Sequence, residues 1–287
     1  MISDITLGQF FPGYSPIHKL DPRTKIILTT LFIVAVFVAN NPLSFLILTL
    51  IVLFTVSVSR ISLGVVLKGI KPIIIILLIT AVINMFMTVG AGEPLFELWI
   101  IKLYKEGIIR AVFMAVRVII LIMGTSILLT YTTSPIALTD GLEALLSPLK
   151  KIGVPVHTFA MMMSIALRFI PTLVEETEKI MNAQKSRGAD FTSGSLVKRA
   201  KALIPLLVPL FVSSFKRAEE LATAMECRCY RGDKNRTKLV KLEYKGRDLC
   251  WLVGSLLSLG VIICLAIWPY KIDLSTIPFS NVIFYKI

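Results

Sequence analysis

Val156 to Leu173, VHTFAMMMSIALRFIPTL, is the stretch on which the fold turns. Counted as a crossing of the membrane, it reverses the side on which everything after it lies. Its length suits a crossing, since a spanning helix needs ~20 mostly apolar residues and ~17 at the least. Its surroundings do not. Lys150 and Lys151 precede it, and Lys179, Lys185 and Arg187 follow it. A crossing helix has one poorly basic side, and here both sides are basic. Arg168 lies within it, and a cation in lipid is costly unless it is paired or snorkels. The stretch reads as part of a long helix along one membrane face.

The same reasoning applies to Ala202–Phe215. Lys198, Arg199 and Lys201 come before it, Lys216 and Arg217 after it, and Pro205 and Pro209 inside it. It is short for a span, and proline bends or breaks a helix. A helix before these two has Leu138, Leu142, Leu145, Leu146 and Leu149 at helical spacing. After Pro171, the run Glu175-Glu176-Thr177-Glu178 reads as the acidic start of a helical segment. Lys185 and Arg187 are its basic end and Gly188 its cap, the charge order that a helix dipole favours. The next helix begins near Ser195. Its second half sets Phe211, Phe215, Ala218, Ala222 and Met225 against Lys216, Arg217, Glu219 and Glu220.

Outside this region lie five segments that read as spans: Ile26–Ala39, Leu43–Val58, Ile73–Val89, Ala111–Tyr131 and Leu249–Trp268. The first reaches spanning length only with its polar flanks. Trp251, Trp268 and Tyr270 suit the two interfaces of a bilayer. Lys19, Arg23 and Lys25 precede the first span, and Arg60, Lys68 and Lys71 lie between the second and third. Asn40-Asn41-Pro42 carries no charge, and the loop from Gly90 to Arg110 is balanced. The positive-inside rule places the N-terminus in the cytoplasm.

The expected fold is an all-α membrane protein, with about five transmembrane helices and long amphipathic helices on the cytoplasmic side. Residues 1–133 hold four spans, 134–248 the cytoplasmic-side helices, and 249–287 the last span and a tail. Composition agrees. Of 287 residues, 55% are hydrophobic and 17% charged, with a mean hydropathy of +0.80. Soluble domains are about 45–50% apolar and about 25% charged, so an ordinary soluble enzyme and a disordered chain are both excluded. The net charge of +13 marks a basic cytoplasmic side and lipid contact; a nucleic-acid partner is not expected. The first 22 residues contain no apolar core of the kind a signal peptide needs.

Catalytic chemistry is sparse. No G-x-x-x-x-G-K-[ST] loop occurs, so nucleotide hydrolysis by that route is not expected. His18 and His157 stand alone, which disfavours a metal cluster or a triad. Four cysteines do not make a disulfide framework in a chain of this length. Asn84 and Arg117 could line a polar path, although Arg117, near the outer end of its span, suits snorkelling or pairing better. Ser186-Arg187-Gly188 ends one long helix and Cys227-Arg228-Cys229 the next. An arginine on a last turn can simply answer the dipole. The alternative is a pair of arginine-tipped helices that point into two sockets on a dimeric partner, where the planar guanidinium fork suits carboxylates and carbonyls.

The sequence resembles the transmembrane T component of energy-coupling factor (ECF) transporters, of the shared, housekeeping type. The resemblance rests on Leu20-Asp21-Pro22-Arg23-Thr24-Lys25, Leu167-Arg168-Phe169-Ile170-Pro171 and Ala183-Gln184-Lys185-Ser186-Arg187-Gly188-Ala189-Asp190. It continues in Arg217-Ala218-Glu219-Glu220-Leu221-Ala222 and Met225-Glu226-Cys227-Arg228-Cys229-Tyr230. The family's two short motifs are usually Ala-Arg-Gly. Here Ser replaces Ala in the first, and the second keeps only its arginine, with Cys where Gly would stand. The resemblance implies a non-catalytic membrane scaffold. Two cytoplasmic ABC-type ATPase subunits, which bind ATP and Mg, would each accept one arginine turn. A small membrane S component would capture a vitamin and dock on the apolar faces of the coupling helices. No cofactor or metal is expected in this chain. Two rivals remain open: a transporter subunit that binds substrate in its own spans, and a membrane thiol enzyme using Cys227 and Cys229.

Overall fold

Two Asx-Pro pairs start the first two helices. Asp21 caps α1 (Pro22–Val38), its carboxylate accepting the Arg23 N–H at 2.9 Å. Pro22 fills the first helical position, where no donor is needed. Asn41 and Pro42 hold the same two positions at the head of α2 (Pro42–Ser59), but without a side-chain cap bond: the Asn41 amide donates to the Leu265 carbonyl at 2.6 Å. α2 ends at Arg60 with a φ of 57°. The computed structural model describes residues 10–87, 96–98, 101–189, 191, 195–232 and 242–267. Trp268 and Tyr270, expected at an interface, lie outside them.

Residues 10–134 and 242–267 belong to one unit. It contains α1, α2, α3 (Leu63–Ile70), α4 (Ile74–Met87), α5 (Lys105–Thr125) and a last helix, numbered α9 below (Gly246–Ile267). A 3-10 turn at Lys71–Ile73, with Pro72 inside it, joins α3 to α4, so Lys68 and Lys71 lie in one helical run rather than in a loop. A short antiparallel pair precedes α5: β1 (Phe96–Leu98) and β2 (Ile101–Leu103), with Glu97 opposite Lys102. α5 starts six residues earlier than the apolar segment suggests, because the helix continues through polar residues. At its other end it widens into a π-helical turn, Ser126–Tyr131.

The core of this unit gathers Ala35 and Val36 of α1, Phe45, Leu48, Val52 and Val56 of α2, and Val66, Ile120, Ile127, Tyr131 and Ile262. α1 and α5 come very close at Gly124, where an added Cβ would sit 2.2 Å from a ring carbon of Phe32.

Residues 135–232 form the other unit. It consists of α6 (Pro135–Leu146), a 3-10 turn (Ser147–Ile152), α7 (Val156–Ser186) and α8 (Leu196–Cys227). α7 is continuous for 31 residues through Pro171, and α8 for 32 through Pro205 and Pro209. The expected segment boundary at Pro171 is therefore absent. Glu175, Glu176 and Glu178 sit deep in α7, so they do not answer the N-terminal dipole, whereas Lys185 does occupy the last turn. His157 and Glu143, both buried, pair at 2.9 Å and tie α7 to α6.

Among the described residues, five helices are long and apolar enough to cross a membrane by length and composition: α2, Leu63–Met87, Gly107–Tyr131, α7 and α9. The chain is an all-α, multi-pass membrane protein. α1, with 17 residues, is one shorter than the shortest of these and stands at the lower limit for a span. α7 meets the measure of length and composition despite its basic flanks.

Candidate functional site

The two arginine motifs close their helices with the same backbone turn. In α7, the Gly188 N–H donates to the Lys185 carbonyl at 2.9 Å and the Ala189 N–H to the Gln184 carbonyl at 3.0 Å. In α8, the Cys229 N–H donates to the Glu226 carbonyl at 2.8 Å and the Tyr230 N–H to the Met225 carbonyl at 3.0 Å. These are the paired 5→2 and 6→1 bonds of a Schellman motif, which satisfy carbonyls that a helix end would otherwise orphan. Arg187 and Arg228 hold the equivalent cap position, each with φ −89°. The next residue is left-handed in both cases: Gly188 at 87° and Cys229 at 57°. The cysteine in the second motif thus adopts the conformation it is expected to resist.

Ser186, Arg187 and Gly188 are exposed, as are Cys227, Arg228 and Cys229. Neither guanidinium bonds to another of the described residues. α7 and α8 pack on each other, joined at Glu176. Its carboxylate accepts from Arg217 Nη2 at 2.8 Å and from the Ser213 hydroxyl. From Glu176 to Arg187 is eleven residues, and so is Arg217 to Arg228. Each arginine thus ends a helical arm of roughly 16 Å measured from a common clasp, at 1.5 Å per residue. Large side chains beside the clasp lie uncovered among the described residues: Leu203, Ile204, Leu207, Val208, Phe211, Val212 and Phe215, the last 72% exposed.

Arg117, Asn84 and His18, in the other unit, each have structural partners. Arg117 donates to the Ala39 carbonyl at 2.7 Å and stands 5.4 Å over the Phe45 ring, answering the carboxyl end of α1. It sits twelve residues into α5, so it pairs rather than snorkels. Asn84 donates to the Thr80 carbonyl one turn back on its own helix. His18 bonds the Ser15 hydroxyl at 2.6 Å and the Phe11 carbonyl at 2.9 Å. Burial holds the imidazole below its ordinary pKa. No group of three or more metal-ligating side chains occurs among the described residues.

Lys25, a basic flank of the first span, and Asp21 also hold helices together. Lys25, 2% exposed, donates to the Thr132 carbonyl at 2.7 Å. The Asp21 N–H donates to Asp248 Oδ1 at 2.8 Å, and the Lys245 N–H donates to Asp248 Oδ2, also at 2.8 Å. The carboxylate at the head of α9 thus holds the head of α1. The sequence shows an acid and a base near the start of one helix; the bond from the Asp21 N–H to Asp248, 227 residues away, is shown only by the fold.

Comparison with known proteins decides the family. A family model described as cobalt transport protein, CbiQ, matches residues 13–239. The chain belongs to the CbiQ family. Three relatives in it are each named "Energy-coupling factor transporter transmembrane protein EcfT". One from Clostridium kluyveri is 54% identical over 267 residues, 93% of this chain and 97% of the relative. One from Acidaminococcus fermentans is 52% identical over 269 residues, 93% and 98% of the two chains. One from Bacillus subtilis is 50% identical over 254 residues, 88% and 95% of the two chains. Within the CbiQ family the chain is therefore of the energy-coupling factor kind, a non-catalytic membrane component that works with partner subunits in an ECF transporter. The relatives' names specify no substrate, and cobalt appears only in the description of the family model.

Proposed function

We propose that this chain is the scaffold through which two cytoplasmic ABC-type ATPase subunits drive vitamin uptake by a separate S component. Arg187 and Arg228 are the anchors, one for each ATPase subunit. Ser186, Gly188, Cys227 and Cys229 shape the turns that seat them. ATP and Mg bind to the partners. The N-terminus is cytoplasmic. α1, α2, α3–α4, α5 with its π turn, and α9 cross the membrane, while residues 134–248 stay on the cytoplasmic side. The uncovered apolar side of α8 receives the S component, which selects the vitamin.

The observation that carries this reading is the pair of matched turns. Two equivalent sites on two like subunits call for two equivalent ligands, and here two exposed arginines end equal arms from one clasp. Dipole compensation explains a basic residue near each helix end; it does not require the same backbone turn at the same distance from the clasp. The thiols find no support as an enzyme centre: His18 is engaged by Ser15 and Phe11, and His157 by Glu143.

The test is capture of the ATPase subunits and vitamin uptake at matched membrane expression. Arg187→Ala or Arg228→Ala should weaken assembly, and the double variant should abolish it. Full assembly and uptake in the double variant would reduce both residues to ordinary helix ends. Orientation is read separately. An impermeant thiol reagent should spare Cys227 and Cys229 in intact cells and label Asn41→Cys. Labelling of Cys227 from outside would overturn the assignment of 134–248.

A further inference from the structure

A cavity of about 450 Å³ opens in the unit formed by residues 10–134 and 242–267. Its walls come from α1, α2, α5 and α9, among them Leu28, Phe32, Phe54, Trp251, Gly254 and Ser258. No charged side chain lines it. A Cβ built on Gly254 meets nothing within 4 Å, so this face of α9 borders open space. The Phe54 and Trp251 rings stand 6.1 Å apart beside it. Along α1 the lining runs from Leu28 to Ala35, and along α9 from Cys250 to Ser258. At 1.5 Å per residue that is roughly 10–12 Å of depth, which fits within one half of a ~30 Å hydrocarbon core.

The end of the cavity nearest the α1 N-terminus is basic on each of three walls. Arg23 lies five residues before Leu28, Arg60 five after Thr55, and Arg247 three before Cys250. None of the three pairs with a carboxylate among the described residues. Arg23 stacks over Tyr244 at 5.4 Å, and its buried Nε has no partner. The nearby Asp21 and Asp248 carboxylates are buried and accept from backbone N–H groups rather than from these arginines, so they offset charge at this end but leave the guanidinium donors free.

We propose that this groove binds one phospholipid with an acidic headgroup. An acyl chain fills the apolar cavity beside Trp251, and the phosphate meets Arg23, Arg60 and Arg247. Arginine suits this end because its fork of donors matches phosphate oxygens. The proposal needs α1, α2 and α9 to lie in the bilayer; it does not depend on the ATPase reading.

Trp251 provides the readout. The full chain carrying Trp99→Phe and Trp268→Phe is placed in phosphatidylcholine vesicles. These contain a minor fraction of either phosphatidylglycerol or phosphatidylcholine with brominated acyl chains. Brominated phosphatidylglycerol should quench Trp251 several-fold more than brominated phosphatidylcholine. Gly254→Leu and Ser258→Leu, which fill the cavity, should each remove that difference. Arg60→Gln with Arg247→Gln should also make the two lipids equal. Equal quenching in the parent chain overturns the proposal without recourse to any variant. A preference that survives both filling variants, in chains that melt like the parent, overturns it too, by assigning the preference to general surface charge. Loss of the preference on adding the assembled partners overturns it in favour of a protein occupant.

Discussion

The turn at Ser186–Ala189 and the turn at Cys227–Tyr230 have the same hydrogen bonds but different residues at the position that matters most to the backbone. Gly188 reaches φ 87° with no Cβ to object. Cys229 reaches 57° at a cost of about 1–2 kcal/mol for an L-residue in the left-handed region. The two bonds that close the α8 end, at 2.8 and 3.0 Å, are as short as those of α7. Helix ends demand partners for their last carbonyls, and that demand holds a poorly suited residue in place. A further difference helps. The two positions that commonly make an apolar contact across such a turn hold Gln184 and Ala189 in α7, but Met225 and Tyr230 in α8. The motif is therefore a backbone shape with an arginine at its cap, and glycine is one way to make it.

The largest effect should come from removing both caps. If each arginine occupies a buried, hydrogen-bonded socket, truncation costs about 2–5 kcal/mol of binding. At ~1.4 kcal/mol per tenfold, each loss is well over tenfold in affinity. Losses at two separate sockets should add nearly in full. ATPase capture by the single and double variants reads this directly. A single variant as weak as the double would mean that the turns are not equivalent sites.

The next effect tests the backbone itself. Gly188→Cys gives the first turn the residue of the second and should destabilise it by about 1 kcal/mol. Cys229→Gly makes the reverse exchange and should stabilise the α8 end by a similar ~1 kcal/mol, offset in part by the greater freedom of glycine in the unfolded chain. Hydrogen exchange at residues 188–189 and 229–230 should move in opposite directions in the two variants. Slower exchange in Gly188→Cys would refute the account of the left-handed position.

A smaller change should follow at the clasp. Glu176→Gln removes the charge that Arg217 faces in a partly exposed pair, an interaction that solvent screens. The clasp joins both arms, so capture of the ATPase subunits through either arginine should fall together and by less than tenfold. A loss confined to one arm would argue against a shared clasp.

Acidification should leave both turns untouched and act elsewhere. The neutral imidazole of His18 can donate through Nε2 to the Phe11 carbonyl while accepting the Ser15 hydroxyl at Nδ1. Its pKa is lowered by burial, so the unfolded segment binds the proton more readily. The contribution of the folded segment is present above the unfolded pKa of ~6.5 and is lost as pH falls through the lower folded value. Exchange at residues 11–18 should quicken on acidification, and His18→Gln should remove that response. Equal quickening at 188–189 would locate the sensitivity at the turns after all.

Much of this architecture is legible in the residues. Asp21-Pro22 and Asn41-Pro42 stand at two helix starts, Ser195 at a third, and apolar runs locate the long helices. Gly188 marks a helix end. Other features need the fold. Hydropathy reports only the apolar part of a helix, so the first turn and a half of α5, with Lys105, Glu106 and Gly107, reads as loop. Pro171, Pro205 and Pro209 read as breaks, yet the surrounding turns carry the helices through them. Arg117 looks like a stranded charge until Ala39, 78 residues away, is found beneath it. The equal arms from Glu176 and Arg217 are a matter of counting once the clasp is known, and nothing in the sequence names the clasp.

The bond from the Asp21 N–H to Asp248 also sets an order of biogenesis. At ~5–20 residues per second, the ribosome takes roughly 10–45 s to travel between those two positions. During that interval the first helix has emerged without the carboxylate that holds its head. The membrane unit therefore completes this contact only when the last helix arrives, and a nascent chain cut short before Gly246 leaves the head of α1 without it.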